Sequence, residues 1–393
     1  MKSDTPDPHG VIDTNAGLKA LLDKLGRPDL LALDTEFHSE RRYRPQLLLV
    51  QLAVRGGPVW TIDPCAVDLT LLAPILTGAT WLVHGGSWDV SLLSKATGAR
   101  PGALLDTQLL AAFAGMSFPA RLSSLARDVL DEQVDKGATL SDWSRRPLSP
   151  EQLAYARADV SVLFALADAL LERVDALDAT VPTRAGRRWA LQAGMELVEA
   201  ALAPSSPNHH WRQLDIAPGF DAPTRCALHT LYTWRDAEAA RRNSPPHFVL
   251  SPGIALDLAR RRPTDLAGLR ANRRIPQGLL KRHGATLLRL LDESTRLSEI
   301  PPPVVRGPAA RIALVQALRE VEGERMGIAP KLLLPPEMIH RAAGEGAVAI
   351  TGWRKEAISE AIGDLLAGRS TLRVYEDHVV VEQIGQTGHA TSC

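Results

Sequence analysis

The sequence is poor in cysteine: only Cys65, Cys226 and Cys393 occur in 393 residues. They are scattered and odd in number, which fits neither a disulfide framework nor a zinc site. No apolar run is long enough to cross a bilayer; the longest, Leu47 to Val54, is strand-sized. The first ten residues, MKSDTPDPHG, are polar and contain no signal-peptide apolar core. The expectation is a soluble, cytoplasmic protein with no membrane partner. Net charge is missing as well, since 45 Lys+Arg offset 45 Asp+Glu. Averaged over the chain, that speaks against a strongly basic nucleic-acid binder. What is present is ordinary for a folded protein, 45% apolar and 23% charged, and the length allows two or three domains.

The zero is a cancellation. Residues 1–200 hold 20 basic and 25 acidic side chains, whereas residues 221–300 hold 14 basic and 8 acidic. An acidic front is joined to a basic middle, a distribution open to a polyanion partner.

Hydrophobic patterning orders the front half. Leu30–Phe37, Gln46–Val54 and Pro58–Ile62 read as successive strands, and Thr80–His84 as another strand leading into a helix over Ser87–Ala96. Asp106–Ala114 and Arg121–Leu130 read as helices. Ser149-Pro150-Glu151-Gln152 carries a capping-box signature and starts a helix expected to reach about Val174. This is an α/β layer with a mixed sheet. A helical connector covers Arg184–Ala201, and Ala203–Asn208 reads as a linker. Residues 221–297 and 308–369 are helical, separated by Pro301-Pro302-Pro303, and Thr371–Glu382 alternates like a hairpin around Glu376-Asp377.

Four carboxylates fall where chemistry would use them. Asp34 and Glu36 end a buried strand two residues apart, so alternation puts them on one face. Neighbouring carboxylates repel, and a bound cation removes that cost. Asp89 lies in the first turns of the helix after Thr80–His84. Tyr155 and Asp159 are four apart on the capped helix and share a face. Singly, each has a structural explanation: a turn acid, a surface acid, a helix N-terminal acid, a core tyrosine. As a set they are the inventory of two-metal phosphodiester hydrolysis, with magnesium held by carboxylate oxygens and water.

The stretches LALDTEFHSERRYRPQLLLVQLAV, VHGGSWDVSLL and DWSRRPLSPEQLAYARADVSVLFALADAL resemble, in order, the three motifs of the DEDD 3′–5′ exonucleases, the third in its tyrosine-bearing form. With LLDTQLLAAFAG between them, they resemble ribonuclease D more than the DNA-polymerase proofreading branch. The resemblance covers roughly residues 11–180 and implies a ribonuclease H-like exonuclease domain, a mixed sheet flanked by helices. It makes Asp34, Glu36, Asp89 and Asp159 ligands of two divalent ions, Mg2+ or Mn2+, with Asp34 shared between them. Tyr155 would position the attacking water. Asp106 is read as a helix cap or support, His84 as a hydrogen-bonding structural residue, and Arg146 as a residue touching substrate or supporting the turn with Pro147 and Leu148.

LHTLYTWRDAEAARRNSPPHFVLSPGIALDLARRRPTDLAGLR resembles an HRDC domain, with Trp234 expected in the core and Ser251 as a helix cap where aspartate is common. Residues 308–369, with Gly352-Trp353-Arg354, resemble a divergent second copy. The implied division is an exonuclease domain over 1–180, a connector over 181–220, an HRDC domain over 221–300 and a second HRDC-like, all-α domain with a tail over 301–393. Arg241, Arg242, Arg260, Arg261, Arg262, Arg273, Arg274, Lys281 and Arg282 are candidate phosphate contacts, with Arg146. The function implied is 3′–5′ exoribonuclease action on RNA with a free 3′ end, releasing nucleoside 5′-monophosphates in tRNA 3′-end maturation, with no obligate protein partner. A DNA exonuclease and a non-catalytic RNA-binding scaffold are the alternatives.

Overall fold

A computed structural model of the chain describes residues 10–134, 141–203, 220–297 and 307–384. The strands are β1 (Val11–Ile12), β2 (Leu30–His38), β3 (Gln46–Ala53), β4 (Trp60–Ile62), β5 (Thr80–Val83) and β6 (Ala103–Asp106). They form one six-stranded sheet in the order β1-β4-β3-β2-β5-β6. The sheet is mixed: β3 runs antiparallel to β4, whereas β2, β5 and β6 are parallel neighbours. The two short outer strands, β1 and β6, were not expected. Two residues carry no readable alternation, and Ala103–Asp106 runs straight into a helix without a turn residue between them.

Strand β2 shows how the sequence builds both faces. Its odd positions, Leu31 and Leu33, pack with Leu18 and Leu21 of α1 (Asn15–Leu25) and with Val90 and Leu93 of α3 (Ser87–Thr97); between these helices lies the single turn α2 (Ala73–Leu76). Its even position Ala32 joins the opposite core, with α4 (Thr107–Phe113) and the helices that follow it. Period-two alternation therefore assigns Thr35 to the α3 side and Asp34 and Glu36 to the other.

After α5 (Leu122–Leu130) comes α6 (Pro150–Ser161), which starts with the expected capping box: the Ser149 hydroxyl accepts from the Gln152 N–H at 3.2 Å, and the Gln152 side chain accepts from the Ser149 N–H at 3.0 Å. The helix does not run unbroken to Val174. It ends at Ser161, and a separate α7 spans Leu163–Thr180. The Ser161 hydroxyl donates to the Ala158 carbonyl, and branched Val160 and Val162 flank it, a combination that weakens the helix at that turn. Then α8 (Gly186–Leu202) supplies the connector.

By packing, the chain forms two units: residues 1–36, 47–203 and 305–393, and residues 37–46 with 204–304. The first includes α14 (Ala309–Met326), α15 (Pro330–Leu333), α16 (Pro336–Glu345) and α17 (Trp353–Leu366). These helices share one hydrophobic core with α4, α7 and α8. Trp353 stands edge-on to Phe113 at 4.8 Å and leans on Trp189 at 5.9 Å, while Arg354 pairs with Glu196 at 2.9 Å. The hairpin β7 (Ser370–Tyr375) and β8 (His378–Gln383) turns through Glu376-Asp377 as expected.

The second unit contains α9 (Ala222–Arg242), α10 (Pro246–Val249), α11 (Pro252–Arg261), α12 (Leu266–Ala271) and α13 (Gln277–Ser294) around a core of its own. Ser251 caps α11, and Trp234 is half-buried, edge-on to His283. The expected linker beyond Ala203 and the Pro301–Pro303 boundary lie outside the described residues.

Candidate active site

The carboxyl ends of the parallel strands β2, β5 and β6 lie side by side, the usual position of a site on such a sheet. Asp34, Glu36 and Asp159 bring carboxylate oxygens within 4.8 Å of one another. Glu36 is held protonated up to about pH 8, first by burial and then by the charges of Asp159 and Asp89. Asp34 is pushed well above the usual carboxylate range by burial, with Asp89, Glu36 and Asp159 adding repulsion. Asp159 rises to about 6 through burial, although the Tyr155 hydroxyl hydrogen-bonds it and opposes the shift. Tyr155 itself rests against buried Trp143, ring centres 6.3 Å apart.

Asp89 reaches the cluster from the other face. It is buried on the first turn of α3, and the Thr35 hydroxyl donates to it at 2.5 Å. Burial raises it to about 6 in spite of that bond. Three of the four acids thus converge, and the fourth acts on Asp34 and Glu36 through its charge while held by Thr35. The role of Thr35 was missed. Strand alternation carried the signal, because Thr35 lies on the face that α3 covers.

Asp106 fixes the turn that carries Asp89. It accepts from the N–H groups of Gly85 and Gly86, each at 2.9 Å, and caps α4 through the Gln108 N–H at 2.8 Å. Gly86 has no room for a side chain, since a Cβ would lie 2.3 Å from Val83. His84 contacts the Thr107 hydroxyl at 2.8 Å and the Ala120 carbonyl at 3.1 Å, and burial lowers its pKa. It is neutral and structural at pH 7. A cleft of about 560 Å³ opens here, lined by Asp34, His84, Gln108, Arg121, Tyr155 and Asp159.

Arg146 has no donor left for substrate. Its guanidinium binds Asp63 at 2.5 and 2.9 Å and the carbonyls of Leu48, Trp143 and Arg145, using all five N–H groups. Burial works against ionised Asp63, but Arg146 and the Cys65 N–H hold it below the ordinary range. Of the two readings given to Arg146, its contacts fit support for the turn before α6 and leave no free donor for a phosphate. Within the second unit, Arg241 is paired with Glu238, Arg261 with Asp257 and Arg262 with Asp221. Arg260 lies over the Phe220 ring, and Arg282 donates to the Gly278 carbonyl. Arg242, Arg273, Arg274 and Lys281 are exposed and form no ion pair among the described residues.

Among carboxylate clusters, this donor set suits a hard divalent cation. It offers only oxygen, and among the described residues no basic side chain holds the shifted Asp34 and Glu36 down. The fold and cluster define a 3′–5′ exonuclease, and residues 10–175 match a family model described as 3′–5′ exonuclease, while residues 227–291 match the HRDC domain. Ribonuclease D of Pseudomonas paraeruginosa is 31% identical over 349 residues, 84% of this chain and 90% of that one. Ribonuclease D of Zymomonas mobilis is 30% identical across 96% of this chain and 98% of its own. The crystal structure of Escherichia coli RNase D superposes with a TM-score of 0.79 at 27% identity, over 91% and 98% of the two chains. The chain belongs to the ribonuclease D family and is a 3′–5′ exoribonuclease. No helix among the described residues is long and apolar enough to cross a membrane.

Proposed function

We propose that Asp34, Glu36, Asp89 and Asp159 hold two divalent ions, Mg2+ or Mn2+, and that the enzyme trims the 3′ ends of structured RNA, tRNA precursors among them. The observation that carries the site reading is the convergence of three carboxylates, two of them pushed up by burial and mutual repulsion, with no basic side chain paired to them among the described residues. When bound, such ions lower the pKa of a water and neutralise charge on the leaving oxygen. The chain's own part is orientation. Tyr155, fixed by Trp143 and bonded to Asp159, presents a hydroxyl where it orders the attacking water. Asp89 must release its proton to act as a ligand, and Thr35 favours that release. Support for the substrate class comes from the Escherichia coli relative, described as an exoribonuclease involved in structured RNA processing. Arg242, Arg273, Arg274 and Lys281 of the HRDC unit, exposed and without an ion pair among the described residues, are suited to phosphate contacts.

The test is turnover of 5′-labelled RNA with magnesium or manganese. Asp34→Asn is expected to lose about a hundredfold to a thousandfold in kcat, as removal of a charge-stabilising group at the reacting centre does. Full activity in that variant would defeat the site reading. Equal degradation of 3′-phosphorylated and 3′-hydroxyl RNA would speak against recognition of a free 3′ end. Matched RNA and DNA oligomers test the sugar preference, and processing of a 3′-extended tRNA tests the substrate.

A further inference from the structure

We infer that Arg121 is a positioning residue for RNA and takes the phosphodiester one step 5′ of the bond being cut. Arg121 lines the same cleft as Asp34, Tyr155 and Asp159, and it is the only lysine or arginine among the described residues that do so. His84 does not supply positive charge there, because burial keeps it neutral. The Arg121 side chain is exposed and forms no ion pair or hydrogen bond among the described residues.

Its position in the fold is also unusual for an arginine. The residue is the N-cap of α5: its carbonyl accepts the Ser124 and Leu125 N–H groups, both at 3.0 Å, but its side chain provides no cap. Ser, Thr, Asp or Asn normally sits there and gains about 1 kcal/mol by accepting an N–H. A guanidinium cannot accept, so it contributes nothing to the helix start. The backbone bonds hold the root of the side chain firmly while its five donors have no partner among the described residues. A planar fork of donors beside a carboxylate-lined cleft matches one ligand chemistry best, the paired oxygens of a phosphodiester. The scissile phosphate belongs to the carboxylate side. The neighbouring phosphate is the one left to Arg121.

This role rests on the carboxylate cluster being the hydrolytic site, and the experiment separates the two. Arg121→Ala is expected to lower kcat/KM on a short single-stranded RNA about tenfold, the size of one charge-assisted contact. Replacing the phosphate 5′ of the scissile bond with a neutral methylphosphonate should cost the unsubstituted enzyme a similar factor. The two losses should not add: Arg121→Ala on the methylphosphonate RNA should be no slower than either change alone. Arg121→Lys, which keeps the charge but not the planar fork, should recover only part of the loss, and it remains readable if the alanine variant folds poorly. Additive losses overturn the assignment, as does no loss in the alanine variant. If the unsubstituted enzyme fails to cut all-phosphate RNA, the hydrolytic reading has failed instead.

Discussion

Glu36 and Thr35 are adjacent and act on the site in opposite senses. Glu36 keeps its proton up to about pH 8 in the folded, metal-free protein, against an ordinary value of 4.5. Between those values the folded state binds more protons than the unfolded chain, so stability falls as pH rises. Metal-free protein is expected to lose several degrees of Tm from pH 5 to pH 8, with Glu36→Gln flattening the fall; calorimetry in chelator checks it. Thr35 acts the other way, stabilising ionised Asp89. Thr35→Val should move the acidic limb of the kcat/KM profile upward by about one pH unit, because a lost donor disfavours the charged form. Asp34, Glu36, Tyr155 and Asp159 were legible because each pair is local, two apart on a strand or four apart on a helix. The bond between Thr35 and Asp89 was not, since it joins residues 54 positions apart.

At the level of elements, the turn from β5 into α3 and the start of α6 deliver ligands by different devices. The first depends on one carboxylate. Asp106→Ala leaves the N–H groups of Gly85, Gly86 and Gln108 without their acceptor. It should cost about 3 kcal/mol of stability and lower kcat together, since Asp89 rides on that turn. Urea denaturation and turnover of the same preparation check both. The second depends on the capping box, and Ser149→Ala should cost only about 1 kcal/mol with activity nearly kept. The box was legible as four consecutive residues. The break at Val162 was not, because a single serine bonding back to Ala158 differs little in sequence from the rest of the apolar stripe.

For the whole molecule, the helices of residues 309–366 could be read from proline punctuation and apolar spacing, but their packing could not. Local patterns show which face of a helix is apolar and not which distant helix covers it. Here the cover is the exonuclease core, through Trp353 against Phe113 and Trp189. Trp353→Ala should destabilise the catalytic unit by about 3–5 kcal/mol, the usual cost of deleting a buried tryptophan. Truncation after residue 304 should leave an aggregating exonuclease domain, whereas residues 220–297, with a core of their own, should fold when expressed alone. Circular dichroism and light scattering of the two fragments distinguish these outcomes.

Three converging acids, with a fourth acting on two of them through its charge, suggest a strong negative field that would hold a polyanion off until metal arrives. The proton affinities say otherwise. Near neutral pH the metal-free cluster keeps a proton on Glu36 most of the time and on Asp89 and Asp159 part of the time, and burial and its acidic neighbours push Asp34 in the same direction. It is electrically quieter than its composition implies. Loading the cluster with metal in weakly buffered solution should therefore release protons to the medium.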